Sequence, residues 1–168
     1  MDIEVFVKRV YTVSFRLTGQ EQVAEEIASQ AIIHTFKEMN EDYKEKVTEN
    51  MFHLTIMELV KIFLNNPNSQ CNDNLKGIKR ALLELKPINR AVVIWKDVLG
   101  YKIHDNIPVS DYTYEELYEE LVCGRKELKE YKILRASGEQ FSWRGKMRID
   151  NLKFNVSEII LDKLILQS

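Results

Sequence analysis

The sequence predicts an all-α protein made of two small helical domains and a C-terminal extension. Apolar residues recur at helical spacing along most of the chain up to Tyr131. A run dense in turn formers divides that pattern near its middle, and after Tyr131 the pattern changes character. The 45% hydrophobic and 30% charged residues are those of an ordinary globular chain with a packed core.

Ile3, Val5, Phe6, Val7, Val10, Tyr11 and Phe15 outline a first helix, interrupted at Leu17-Thr18-Gly19. The spacing predicts a second, long amphipathic helix over Glu21 to Met39, with Val23, Ala24, Ile27, Ala28, Ala31, Ile32, Phe36 and Met39 on one face. Asn40 to Lys46 is charged and weakly patterned. A third helix follows over Met51 to Leu64, with an apolar arc wide enough to imply burial. Asn65 to Asn74 then combines five asparagines with Pro67 and almost no apolar content, which marks a linker. Leu75 to Leu85 is predicted helical, and Pro87 is placed to open a helix through Leu99 that Gly100 stops. Asp111 or Thr113 caps a last long helix through Tyr131, with Leu117, Leu121 and Leu128 on its apolar side. The predicted division is therefore a helical domain over 1–66, a linker over 67–74, a second helical domain over 75–132 and an extension over 133–168.

In the extension, Gly138, Gly145 and the alternation Lys146-Met147-Arg148-Ile149 suit either a hairpin or a loop. Asn155-Val156-Ser157-Glu158 resembles a helix start, with Val156, Ile159, Ile160, Leu164 and Ile165 as a short apolar face.

Several function classes are disfavoured. The formal charge of −2, from 24 basic and 26 acidic residues, gives no global signature of a nucleic-acid binder, so such a role must rest on local patches. Cys71 and Cys123 stand far apart without metal-ligand neighbours, and idle thiols are the simpler reading. His34, His53 and His104 are scattered, so no metal is expected. No nucleophile and base, carboxylate pair or phosphate-cradling glycine loop has meaningful spacing, so neither an enzyme nor a cofactor is expected. Met1-Asp2-Ile3-Glu4 lacks the form of a secretory signal and no apolar stretch reaches membrane-spanning length, which predicts a cytoplasmic protein that does not engage a membrane. Trp95, among Val92, Val93, Ile94 and Val98, reads as core.

One resemblance is specific. Tyr11-Thr12-Val13-Ser14-Phe15-Arg16-Leu17-Thr18-Gly19, followed by Ala24-Glu25-Glu26-Ile27 and continuing without gaps through Ile32, Ile33 and Phe36, resembles the start of region 2 in extracytoplasmic-function RNA polymerase sigma factors. A second stretch, Leu82-Leu83-Glu84-Leu85-Lys86-Pro87-Ile88-Asn89-Arg90-Ala91-Val92-Val93-Ile94, is similar to region 4 of the same family. Gly100 sits where that family has its Gly-Leu-Ser turn. Thr113, Leu117, Leu121 and Arg125 then fall at the spacing of its recognition helix. The resemblance implies a region 2-like three-helix unit, a region 4-like helix-turn-helix unit, and a factor that binds core RNA polymerase and directs promoter-specific initiation. It further implies that Glu25, Glu26, Ser29, Gln30 and Ile33 meet the clamp of the β′ subunit. Promoter DNA would be met by Lys61 in the first unit and by Thr113, Tyr114, Tyr118, Arg125 and Lys126 in the second.

The chain also departs from the family. The Gln-Glu pair of the clamp-binding helix is replaced by Ser29 and Gln30. Met51 to Leu64 offers only His53 and Lys61 as cations, and Leu64-Asn65-Asn66 stands where the family has an arginine-rich exit, which removes phosphate-neutralising charge. Pro108 would break the first helix of the helix-turn-helix, expected over Lys102 to Val109. The recognition-helix segment carries Glu115, Glu116, Glu119 and Glu120 before its first cation, Arg125, and carboxylates without surrounding cations do not hold a helix in a DNA groove. The basic residues gather instead in 129–154, with Phe141 and Trp143 among them. That stretch could form a replacement nucleic-acid or partner surface, a solvated face, or a cover for the glutamate-rich helix. These departures define an alternative: a sigma-like regulatory module that binds polymerase or an anti-sigma factor without reading DNA.

Overall fold

A computed structural model describes residues 1–39, 47–67, 76–103 and 111–134. These residues form only helices and connecting turns, as the periodicity predicts: α1 (Ile3–Thr18), α2 (Glu21–Met39), α3 (Glu49–Asn65), α4 (Ile78–Glu84), α5 (Pro87–Val93), which runs on into a π-helical turn (Ile94–Val98), and α6 (Tyr114–Leu134). None of these helices is long and apolar enough to cross a membrane. The expectations for 68–75, including most of the linker, for most of the helix over Lys102 to Val109, and for 135–168 lie outside the described residues; Lys102 and Ile103 themselves are not helical.

Local chemistry sets the helix ends. Asp2 caps α1 by accepting from the Glu4 amide at 2.8 Å, and Gly19 ends it in the left-handed region at φ 73°, returning its N–H to the Phe15 carbonyl. The first helix therefore continues three residues past Phe15. Thr48 caps α3 by accepting from the Met51 amide at 3.1 Å. The predicted helix over Leu75 to Leu85 is shorter, because Gly77 at φ 62° breaks the backbone path before Ile78. Pro87 opens α5 at its first turn. At the start of α6, Thr113 rather than Asp111 is the cap. The Thr113 amide donates to a Glu116 carboxylate oxygen at 2.6 Å while the Glu116 amide donates to the Thr113 hydroxyl at 3.3 Å, a reciprocal capping box.

In the first three helices, Phe6 meets Phe36 and Phe52 edge-on, with ring centroids 5.7 and 6.2 Å apart, where α1, α2 and α3 converge. The third helix buries Phe52, Ile56, Leu59, Val60 and Phe63, the wide arc its sequence predicts. In the second half, α6 lays Leu117, Leu121 and Leu128 against α5 and α4, with Gly124 between them at the point of closest approach.

The two halves share one continuous core. Helices α4 and α5 pack on α1, and α5 also reaches α3. The Arg16-Leu17-Thr18-Gly19 turn is the pivot of that contact. A methyl group on Gly19 would lie 2.4 Å from a Leu83 methyl, and the buried guanidinium of Arg90 donates to the Leu17 carbonyl as well as to those of Leu83 (2.6 Å) and Leu85 (3.0 Å). A cation placed on carbonyls at the C-terminal ends of α1 and α4 also complements both helix dipoles. On the other side of the junction, His53 of α3 sits in an aromatic cluster with Trp95 (5.4 Å) and Tyr101 (4.6 Å), and the Trp95 indole donates to the Lys102 carbonyl at 3.0 Å.

Candidate functional site

Two helix faces carry the residues that the sequence singles out. The first is on α2. Its buried side consists of Ala24, Ile27, Ala28, Ala31, Ile32, Thr35 and Phe36, which seat it on α1 and α3. With 3.6 residues per turn, that seating leaves Gln22, Glu25, Glu26, Gln30 and Ile33 along the opposite stripe, with Ser29 at its margin. These six residues line a shallow, open depression of about 320 Å³. Glu26 and Gln30 are exposed and joined side chain to side chain, the Gln30 amide donating to Glu26 at 3.2 Å. Glu25 and Ile33 are half-buried. Ser29 is 6% exposed, and among the described residues its hydroxyl has no hydrogen-bond partner.

All five residues expected at the polymerase clamp, Glu25, Glu26, Ser29, Gln30 and Ile33, thus line one depression. Ser29 enters it as a recessed hydroxyl rather than as a projecting contact. The chemistry is two carboxylates and two amides around an apolar step at Ile33, with one unsatisfied hydroxyl. It suits a partner surface that offers cations and hydrogen-bond donors beside an apolar side chain. The face also leaves a mark on the core beneath it. The Tyr11 phenol is pushed up to about 12, first by burial and then by the negative charges of Glu21 and Glu25.

At the far end of α2, His34 lies 3.5 Å from Glu58 and 3.8 Å from Glu38, and Lys61 lies 3.3 Å from Glu58. Lys61, expected to meet DNA, is therefore exposed but already has a carboxylate beside it. His53, on the same helix, is held in the aromatic cluster. Among the described residues no three His, Cys, Asp or Glu side chains come together as a metal site.

The second face is on α6. Tyr114 and Tyr118 are 43% and 49% exposed, with rings 6.4 Å apart, and Val122 continues their row at 47%. Thr113 is exposed but serves as the cap. Arg125 forms a two-bond pair with Asp97 of the π-helical turn, Nε to Oδ2 at 2.8 Å and the second nitrogen to Oδ1 at 2.5 Å. That pair also pushes the Arg125 pKa upward. Lys126 is exposed. Thus Tyr114, Tyr118, Arg125 and Lys126 do share one side of α6, but the one arginine among them is engaged on the protein itself. Glu115 and Glu119 flank that side, whereas Glu116 and Glu120 turn away from it. Cys123, the one cysteine among the described residues, is exposed.

Sequence reasoning missed the roles of Arg90, His53, Asp97 and Gly124. Only Gly124 left a local signal, since it stands on the apolar side of α6 between Leu121 and Leu128. The other three act through at least one partner far along the chain, Leu17 at 73 positions from Arg90 and Arg125 at 28 from Asp97, or through ring contacts across the junction of the two halves. Comparison with protein-family models, with curated proteins and with solved structures finds no match to this chain.

Proposed function

We propose that this chain is a sigma factor of the extracytoplasmic-function type that binds core RNA polymerase through the α2 face and directs promoter-specific initiation, working in the cytoplasm. The observation that carries the reading is a depression along α2, lined by Gln22 and by the five residues that the resemblance assigns to the β′ clamp. Glu25 and Glu26 supply the negative charge, Gln30 the directional hydrogen bonds, and Ile33 the apolar anchor around which a polar rim excludes water. The region 2-like and region 4-like units are then the halves built by α1 to α3 and by α4 to α6, joined by 67–74.

A second reading has its own support. Each candidate DNA cation that can be described except Lys126 already has an internal neighbour: Lys61 with Glu58, Arg125 with Asp97, and His53 with Trp95 and Tyr101. Phosphate contacts supply most of the affinity for DNA, so this arrangement favours a sigma-like module that binds polymerase or an anti-sigma factor without reading promoters. Reconstitution separates the two. A sigma factor binds core polymerase and opens a cognate promoter in a salt-sensitive reaction; a module binds core polymerase or an anti-sigma protein and opens no promoter. Failure to bind core polymerase at all contradicts the first reading.

A further inference from the structure

We infer that α6 is a self-association helix, on which a second copy of this chain docks antiparallel about a two-fold axis at Val122. The inference rests on a face that shares no residue with the α2 depression, so it stands or falls independently of polymerase binding.

The exposed side of α6 has a row at three- and four-residue spacing that reads the same from either end: Glu115, Tyr118, Val122, Lys126, Lys129. That is the spacing at which two helices pack side by side over several turns. Val122 and Tyr118 are 47% and 49% exposed, large apolar surfaces adjacent to the side that α6 buries against α4 and α5. Charge along the helix is segregated. On the exposed side its first half carries Glu115 and Glu119 and its second half Lys126 and Lys129, while Arg125 is paired with Asp97 and Glu116 with the Thr113 cap. Such polarity favours α6 as a single helix through its dipole, and it also makes the face complementary to itself when reversed.

An antiparallel two-fold at Val122 exchanges positions whose numbers sum to the same value. It sets Glu115 opposite Lys129 of the second copy, Tyr118 opposite Lys126, and Val122 opposite Val122. The Glu115–Lys129 pair occurs twice, once on each side of the axis, as an isologous interface requires. The Tyr118 ring meets the Lys126 side chain, whose stem covers apolar surface while its ammonium stays in water or over the ring. A parallel pairing would instead set glutamates against glutamates, so the charge pattern selects the antiparallel arrangement. One helix pair buries a small area, which places the association in the weak, concentration-dependent class.

Sedimentation equilibrium of the full-length chain tests the inference. The wild-type chain should show a reversible monomer–dimer equilibrium in the micromolar range that weakens as salt rises. Val122→Glu, at an exposed position, should weaken dimerisation about 30-fold or more while circular dichroism stays unchanged. A Glu115→Lys, Glu119→Lys chain and a Lys126→Glu, Lys129→Glu chain should each lose self-association, yet an equimolar mixture of the two should form a heterodimer. A wild-type chain that stays monomeric at the highest concentration it tolerates would overturn the inference, whatever else covers the face. So would a dimer indifferent to Val122→Glu, or a mixture that fails to pair.

Discussion

The guanidinium of Arg90, at the second turn of α5, donates a hydrogen bond to the carbonyl of Leu17 at the end of α1, 73 positions earlier in the chain. With the carbonyls of Leu83 and Leu85 it closes the ends of two helices at the junction of the two halves. A buried cation stays in place only when such acceptors replace its water, and the acceptors in turn depend on it.

Arg90→Met should therefore cost about 3 kcal/mol of stability, because it strands buried carbonyls that Arg90 now serves. Chemical denaturation measures this directly. Arg90→Lys should recover only part of the loss, since one ammonium cannot reproduce the geometry of the planar fork.

Gly19 meets Leu83 at the same junction. Gly19→Ala imposes a left-handed backbone on a residue with a Cβ, costing about 1–2 kcal/mol, and drives that Cβ into a Leu83 methyl. In a Leu83→Ala background the steric part should vanish, giving a coupling of about 1 kcal/mol or more in a double-mutant cycle. Strict additivity would contradict the contact.

Gly124 makes the opposite case to a helix-propensity argument. Alanine in a helix interior is favoured over glycine by about 1 kcal/mol. A Cβ at this position, however, would stand 2.9 Å from a Val93 methyl and 3.3 Å from both Cβ and the carbonyl oxygen of Asn89. Gly124→Ala should be destabilising by about 1–2 kcal/mol net, with overpacking of the α5–α6 contact outweighing the propensity gain.

Tyr11 sets an alkaline limit. Its folded pKa, pushed up to about 12, lies above the ordinary value of 10.0, so the folded chain holds a proton that the unfolded chain releases. The stabilisation is fully present below pH 10 and is lost as pH rises through the folded pKa. Denaturation midpoints should fall across that window, and Tyr11→Phe should flatten the fall. Absorbance titration should show one phenol ionising late in the wild-type chain and not in the variant.

Much of the fold was legible because it is local. The bounds of α2 follow from its 3.6-residue apolar repeat, the opening of α5 from Pro87, and the start of α6 from the Thr113 and Glu116 pair. The α2 face was legible for the same reason: once one side of a regular helix is buried, the opposite stripe is determined. The π-helical turn at Ile94–Val98 was not, since no local spacing marks it; in the structure its Trp95 meets Tyr101 and, from a distant part of the chain, His53. Nor was the engagement of Arg125, because Asp97 reaches it only after α5 and α6 have packed.

The α2 face is the centre of the functional account, and the affinity of the full-length chain for core RNA polymerase tests it most directly. The wild-type chain should bind, and Glu26→Lys and Ile33→Asp should each weaken binding by about tenfold or more, as loss of central contacts does. Val122→Glu on α6 should leave the affinity unchanged. Equal affinity for all four chains, or no binding by the wild type, would contradict the assignment of this face.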